Sequence, residues 1–100
     1  MPTAINRQTS TLPQSNFLGQ NYPNPFNAQT VIEYELPRPG LVRLEVFDAS
    51  GQVVDVLFDG VQTSGAHAAS WDAAHRASGT YFYRFWNEGF QETRKMLLLR

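Results

Sequence analysis

The chain has 100 residues, enough for one folded domain and too few for two independent cores. Its formal net charge of −1 gives no overall field that would attract nucleic acid or an anionic membrane, so neither is expected as a partner. Cysteine is absent, which excludes disulfides, thiolate metal sites and cysteine nucleophiles. No apolar run approaches the ~18 residues of a membrane-spanning helix and none follows Met1, so neither such a helix nor a signal peptide is predicted.

The first part of the chain differs in composition from the rest. Residues 1–29 hold four of the six prolines and a single charged residue. Residues 1–16 are predicted to form a flexible linker, because they offer too little apolar surface to offset the entropy of ordering them. Residues 17–27, called the lead-in, are predicted to be irregular but ordered, with the rings of Tyr22 and Phe26 capping the core.

From residue 30 onward, short runs of alternating apolar and polar residues are separated by turn residues. The turn signals recur about every 8–12 residues, a spacing typical of β-sandwiches, and no segment keeps a helical period. The sequence therefore predicts an all-β fold, an antiparallel sandwich of six to seven strands with the seventh in the lead-in. The six main strands are predicted at residues 30–36, 41–48, 53–58, 66–72, 81–86 and 91–99.

Alternation within these strands also predicts which side chains face the core, since successive residues of a strand point to opposite faces. The predicted core-facing residues of the first four strands include Ile32, Tyr34, Leu36, Val42, Leu44, Val46 and Trp71.

The strand at residues 81–86 is aromatic on both faces, of which only one can point into a core. Its faces carry Tyr81, Tyr83 and Phe85 on one side and Phe82, Arg84 and Trp86 on the other. The second set is a candidate binding platform for sugar rings or for another protein. The alternative is ordinary packing of these side chains under the lead-in rings, Phe47 or Phe90.

The residues that could support catalysis or metal binding are few. Glu33 and Glu35 lie ~6.5–7 Å apart on one strand, near the separation found in inverting glycosidases, but they occupy the polar face of an amphipathic strand. His67 and His75 are the only histidines, and no companions occur at metal-ligand spacing. Nucleophile-elbow, phosphate-loop and EF-hand patterns are also absent from the sequence. We therefore predict no catalytic residue, metal or cofactor.

Charge is unevenly distributed along the chain. Residues 30–72 carry seven acids against two arginines, a balance of −5, whereas residues 73–100 carry five basic residues against two acids, a balance of +3. Pairing between neighbouring strands is one explanation. The other is that the basic C-terminal strand, which ends in residues 96–100, is recognised by a partner, because an edge strand can accept an added strand. Composition leaves both explanations open.

Seven segments carry a more specific pattern, namely residues 20–27, 30–36, 48–54, 65–67, 71–72, 77–84 and 95–100. In their order and spacing, they resemble the type A C-terminal sorting domain of the bacterial type IX secretion system. The resemblance extends from residue 18 to residue 100 and implies an immunoglobulin-like or fibronectin-like sandwich at the end of a larger cargo protein.

The resemblance also implies a function. In that family the cargo enters the periplasm by its own signal peptide, the domain directs passage across the outer membrane, and a surface sortase commonly removes it and attaches the cargo to lipopolysaccharide. Residues 1–16 would then link the cargo to a non-enzymatic sorting domain at 17–100, with shuttle, translocon and sortase proteins as partners and the cell surface or exterior as destination. By position, the resemblance assigns translocon recognition to Lys95, Met96, Leu97, Leu98, Leu99 and Arg100.

The chain departs from the family pattern after Trp71 and Asp72. Ala73 stands where the family usually has glycine, and His75 stands near a position that is usually acidic or an amide. Because alanine tolerates positive φ poorly, we expect this loop to adopt a different turn.

A second function of another class is a carbohydrate-binding or adhesive sandwich module of a secreted enzyme. Its binding surface would be the platform of Phe82, Arg84 and Trp86, with polysaccharide as the partner.

Overall fold

A computed structural model describes residues 14–100 as seven β-strands, with no helix in that range long and apolar enough to cross a membrane. All but the last three residues of the predicted linker 1–16 lie outside the described residues, so its flexibility stays a prediction. The strands are β1 (Phe17–Leu18), β2 (Gln29–Leu36), β3 (Gly40–Phe47), β4 (Val53–Gln62), β5 (Gly65–Asp72), β6 (Gly79–Asn87) and β7 (Phe90–Leu98).

The strands form two sheets that pack face to face around one core. The three-stranded sheet has the order β1-β2-β5, and the four-stranded sheet has the order β4-β3-β6-β7, with every neighbouring pair antiparallel. The predicted all-β sandwich is confirmed, including the short strand in the lead-in. In this arrangement β7 lies at one edge of the four-stranded sheet.

β4 differs from its predicted length, because it runs four residues beyond residue 58 and ends at Gln62. The sequence predicts a turn at Asp59 and Gly60, but these residues stay in the strand and pair with Arg43 and Val42 of β3. Turn-forming composition therefore does not end this strand, because the neighbouring strand continues to supply hydrogen-bond partners.

The core contains the side chains that alternation predicts, together with residues of the lead-in and of the loop after β5. The buried hydrophobic residues are Leu18, Phe26, Ile32, Tyr34, Leu36, Val42, Leu44, Val46, Trp71, Ala73, Tyr81, Tyr83, Phe85, Met96 and Leu98. Trp71 lies between the lead-in and β6, with its ring centroid 5.8 Å from that of Phe26 and 5.2 Å from that of Tyr81. Such aromatic pairs add about 0.5–1.5 kcal/mol each beyond the area they bury, so Trp71 ties the lead-in to the core.

The prediction that both lead-in rings cap the core is confirmed for Phe26, which is 2% exposed, and is wrong for Tyr22, which is 79% exposed. Tyr22 forms an antiparallel bridge with Val31 of β2. Side chains of directly opposed residues lie on the same face, and Val31 faces outward. Leu18 fills the core from the lead-in instead.

The loop after β5 adopts a turn that does not require a left-handed residue at Ala73. Among residues 14–100, the positive φ values outside glycine belong to Ala28, at 86°, and Glu88, at 32°. Ala73 is fully buried, and its amide donates to the carbonyl of Ala28 at 2.6 Å. The left-handed residue is therefore Ala28, which precedes β2 and bonds Ala73, and not Ala73 itself.

Candidate recognition site at strand β7

The first half of the lead-in follows the free side of β2. After the β1–β2 pairing, the amide of Gly19 donates to the carbonyl of Glu33 at 2.8 Å. Tyr22 and Val31 then exchange two backbone hydrogen bonds of 2.9 Å each. The lead-in therefore closes the three-stranded sheet on this side.

The second half crosses to the four-stranded sheet and covers the outer edge of β7. The amide of Phe26 donates to the carbonyl of Leu97 at 3.0 Å, and the carbonyl of Phe26 accepts from the amide of Leu99 at 2.9 Å. The amide of Leu97 donates to the side-chain oxygen of Asn24 at 3.0 Å. Both backbone polar groups of Leu97 are therefore bonded to the lead-in.

Two further side-chain bonds extend this cover toward the start of β7. The amide group of Gln20 donates to the carbonyl of Lys95 at 2.9 Å, and Nε of Arg94 donates to the carbonyl of Leu18 at 2.9 Å. The hypothesis of an open edge is wrong between the Lys95 carbonyl and the Leu99 amide. The lead-in already occupies the hydrogen-bonding positions that an added strand would use there.

A buried polar cluster fixes the path of the lead-in. The Tyr83 hydroxyl donates to the carbonyl of Gly19 at 2.6 Å and accepts from the amide of Asn21 at 2.8 Å. The side-chain amide of Asn21 donates to the Pro23 carbonyl at 3.1 Å and to the Thr30 hydroxyl at 3.0 Å, and that hydroxyl donates to Pro23 at 2.8 Å. Because buried polar groups are costly unless bonded, this satisfied cluster favours one conformation of the lead-in.

The protonation state of Tyr83 supports the same role. Burial raises the pKa of the Tyr83 phenol to about 12, and the hydrogen bond from the backbone of Asn21 lowers it by less. The phenol therefore stays protonated at neutral pH and keeps donating to Gly19.

The six residues assigned to recognition do not share one surface. Met96 and Leu98 are 1% and 0% exposed and belong to the core. Lys95 is exposed and Leu97 is partly exposed on the outward face of β7, and Leu99, the residue after this strand, is also exposed. The structure thus divides the predicted set into an inward pair and an outward triad, because strand residues alternate between faces.

Arg100 binds the chain's own backbone. Its guanidinium donates to the carbonyls of Ala73 at 3.3 Å, of Ala74, and of Arg76 at 2.9 Å. Its amide donates to the Ser78 hydroxyl at 2.9 Å. These bonds hold the end of the chain against the loop after β5, so Arg100 has a structural role.

Two of the three residues of the aromatic platform lie beside Phe47 of the neighbouring strand β3. Arg84 lies over the ring of Phe47, with 4.6 Å between its guanidinium carbon and the ring centroid, and Phe82 pairs with Phe47 in register. Phe90 lies on the other face, 5.8 Å from Phe85 between ring centroids. Phe47 therefore provides the cover, and Phe82 and Arg84 are only partly exposed.

Trp86 is the most exposed ring of this face, at 38%, and borders a groove of about 540 Å³. The charged side chains that line this groove are paired with one another. Glu45 accepts from Arg43 at 2.7 Å and from Arg84 at 3.2 Å, and Arg43 also donates to Asp59 at 2.6 Å. Burial alone would raise the pKa of Glu45, but the bonds from the two arginines outweigh it and lower that pKa. The arrangement is a satisfied ion-pair network.

The remaining candidate residues show no catalytic arrangement. Glu33 is exposed and Glu35 half-buried along β2, as predicted for a polar face. The ring of His67 bonds the carbonyl of Thr63 at 2.8 Å and stacks on Tyr34 at 5.5 Å. His75 lies exposed in a loop. Across residues 14–100, no group of three or more acidic or histidine side chains is placed to hold a metal ion.

Comparison with known proteins shows what this architecture is. The family model described as "Secretion system C-terminal sorting domain" matches residues 20–99. The chain belongs to this family. The family comprises sorting signals of the type IX secretion system and is non-catalytic, so membership indicates export to the cell surface or secretion. A search of curated proteins found no match.

Two solved structures share the fold of this sorting domain. One is dimeric latent PorU from Porphyromonas gingivalis, with 21% identity and a TM-score of 0.65 over 87% of this chain and 10% of that one. The other is PorZ, an essential surface component of the type IX secretion system of the same organism, with 16% identity and a TM-score of 0.51 over 85% of this chain and 11% of that one. The sorting domain thus spans about a tenth of each.

The sequence alone does not predict the polar side chains that anchor the lead-in. Gln20, Asn21, Asn24 and Thr30 all bond across the lead-in, but their composition resembles that of a solvated loop. The sequence feature that indicates them is the density of amide side chains around two prolines, immediately before an apolar strand. Such residues often replace regular backbone pairing where the chain cannot form a strand.

Proposed function

We propose that residues 17–100 act as the signal that sends an N-terminally attached cargo across the outer membrane by the type IX route. Residues 1–16 serve as the linker, and a surface sortase removes the domain after export. The observation that carries the proposal is the family match over residues 20–99, which includes most of the lead-in and all of β7.

The geometry of the domain supports this proposal. The linker would enter at Phe17, which pairs with Glu35 near one end of β2. Arg100 is anchored to the Ala73–Arg76 loop, which follows the other end of the same sheet. At ~3.3 Å per residue along β5, these ends lie roughly 23 Å apart. The end of β7 therefore lies at the opposite end of the sandwich from the point where an attached cargo would enter.

Translocon recognition within this proposal belongs to the outward triad of Lys95, Leu97 and Leu99. The other members of the terminal segment, Met96, Leu98 and Arg100, contribute by holding the strand in place. This division follows from their burial and contacts.

The test uses a periplasmic reporter with its own signal peptide, fused in front of the full chain in a type IX host. Export of the reporter, with loss of the domain's mass from the exported form, is expected. The triple variant K95A/L97A/L99A is expected to stay in the periplasm, whereas the matched control Q91A/T93A on the same face of β7 is exported. A wild-type fusion that remains periplasmic would contradict the proposal.

A carbohydrate-binding function has weaker support. Phe82 and Arg84 pack against Phe47, and the ionic side chains near Trp86 are bonded to one another. One partly exposed ring remains, and the family match points to sorting.

A further inference from the structure

The first and last segments of the family pattern form one continuous surface in this domain. Asn24 of the lead-in bonds Leu97 of β7 although 73 residues separate them in sequence. Phe26 bonds both Leu97 and Leu99 through its backbone. The seam between these two segments therefore exists only when the domain is folded and the lead-in is docked.

A small cleft opens at this seam. It has a volume of about 160 Å³ and is lined by Asn24, Thr80, Lys95, Met96 and Leu97. For scale, an apolar cavity of about 150 Å³ holds a benzene molecule. The cleft therefore has room for one apolar side chain of a partner protein.

The charge at the rim of the cleft is unbalanced. The ion pairs among residues 14–100 engage Arg43, Arg84 and Arg94, and none engages Lys95. Lys95 is exposed, and its register partner on β6 is Phe82, which carries no charge. A carboxylate of a partner would find an unpaired ammonium group directly beside a cleft whose lining includes the apolar side chains of Met96 and Leu97.

We propose that a protein of the type IX secretion machinery recognises the folded seam. It inserts one apolar side chain into the cleft and places a carboxylate against Lys95. The proposal rests on the sorting function and specifies its recognition surface. Recognition of this kind differs from the capture of a linear peptide and from the addition of a strand to β7. The partner is a folded protein surface with an apolar residue next to an acidic one.

Two substitutions test the proposal in the full-chain reporter fusion. T80F fills the cleft from β6, and its control T93F places the same ring on the same sheet face away from the cleft. K95E reverses the charge at the rim, and its control T93E adds a carboxylate two residues away. We expect export of the reporter to fall at least tenfold for T80F and K95E and to change less than twofold for T93F and T93E. Thermal unfolding midpoints of the four variants show whether each of them folds.

The outcomes separate the two proposals. Equal export of T80F and T93F, together with equal export of K95E and T93E, would overturn the seam as the recognition surface while leaving the sorting function intact. Failure of the wild-type fusion to leave the periplasm would overturn both. If T80F does not fold, the K95E and T93E pair decides, since both positions are exposed and neither side chain belongs to the core.

Discussion

The side-chain oxygen of Asn24 accepts a hydrogen bond from the backbone amide of Leu97 at 3.0 Å. This bond replaces the one that a neighbouring strand would make, so an amide side chain protects the edge of β7. Protection of an edge by local structure is a common means of preventing unwanted strand pairing.

We expect Asn24→Ala to destabilise the domain by about 0.5–1.5 kcal/mol, the usual net contribution of one hydrogen bond. Asn27→Ala is the matched control, because Asn27 is exposed in the same segment and has no described hydrogen bond. Urea denaturation of both variants measures the difference. Equal midpoints would show that water replaces the Asn24 oxygen without cost.

Leu98, the last residue of β7, and Leu99, which follows it, should respond differently to the same substitution. Leu98 is fully buried and Leu99 is 52% exposed. Leu98→Ala is expected to cost about 2–5 kcal/mol of unfolding free energy, whereas a surface change such as Leu99→Ala usually stays within about 0.5 kcal/mol. Thermal and chemical denaturation of this adjacent pair provide the measurement. Similar losses at both positions would contradict the assignment of faces.

Sequence patterns predict the strands and the core of this domain well because both depend on alternation. Ile32, Tyr34 and Leu36 face inward as predicted, since a one-residue shift in register would expose all three. The prediction fails for Tyr22, whose direction is set by its bridge to Val31. That contact joins separate segments and leaves no periodic signal in the lead-in.

The recognition site is only partly predictable for a similar reason. The resemblance identifies residues 95–100 as one segment, and alternation can divide it into inward and outward side chains. The docking of Asn24 against Leu97, and the cleft beside Lys95, depend on how the lead-in crosses between the sheets. Neither composition nor spacing specifies that crossing.

Ala28 is the position where glycine should stabilise the domain. Its φ of 86° costs an alanine about 1–2 kcal/mol in the folded state, and glycine would remove this cost. The extra freedom of glycine in the unfolded chain would offset about 0.4–1 kcal/mol of the gain. We expect Ala28→Gly to raise the unfolding free energy by up to about 1.5 kcal/mol. Ala73→Gly, at the position where the family usually has glycine, should instead lower it by about 1–2 kcal/mol, because a buried methyl group is lost and glycine adds freedom to the unfolded chain. Stabilisation by Ala73→Gly would contradict this placement of the left-handed residue.

Arg100 should stabilise the loop after β5. One terminal nitrogen of its guanidinium bonds three carbonyls, and the nitrogen of a lysine would lie one bond nearer the main chain, so it cannot make the same contacts. We expect Arg100→Lys to speed amide hydrogen exchange in residues 73–78 and to lower stability by about 1 kcal/mol. Arg38→Lys, at an exposed position without a described ion pair, serves as the control. Unchanged exchange in the loop would contradict this role of Arg100.

Alkaline pH should release the lead-in through Tyr83. Its folded-state pKa is raised to about 12 from an ordinary value of 10.0, so its contribution to stability is complete below pH 10 and is lost as the pH rises toward 12. Ionisation removes the proton that the hydroxyl donates to Gly19 and places a phenolate against that carbonyl. Stability of the wild type is therefore expected to fall over this pH range.

Tyr83→Phe tests the origin of that loss. The variant leaves the amide of Asn21 without its buried partner, so it should lose about 1–3 kcal/mol at neutral pH and show a smaller further decrease between pH 10 and 12. Some decrease should remain, because burial also raises the pKa of Tyr34. Tyr22→Phe is the control, since its ring is 79% exposed and makes no described side-chain hydrogen bond. An alkaline decrease of equal size in wild type and Tyr83→Phe would place the titrating group elsewhere.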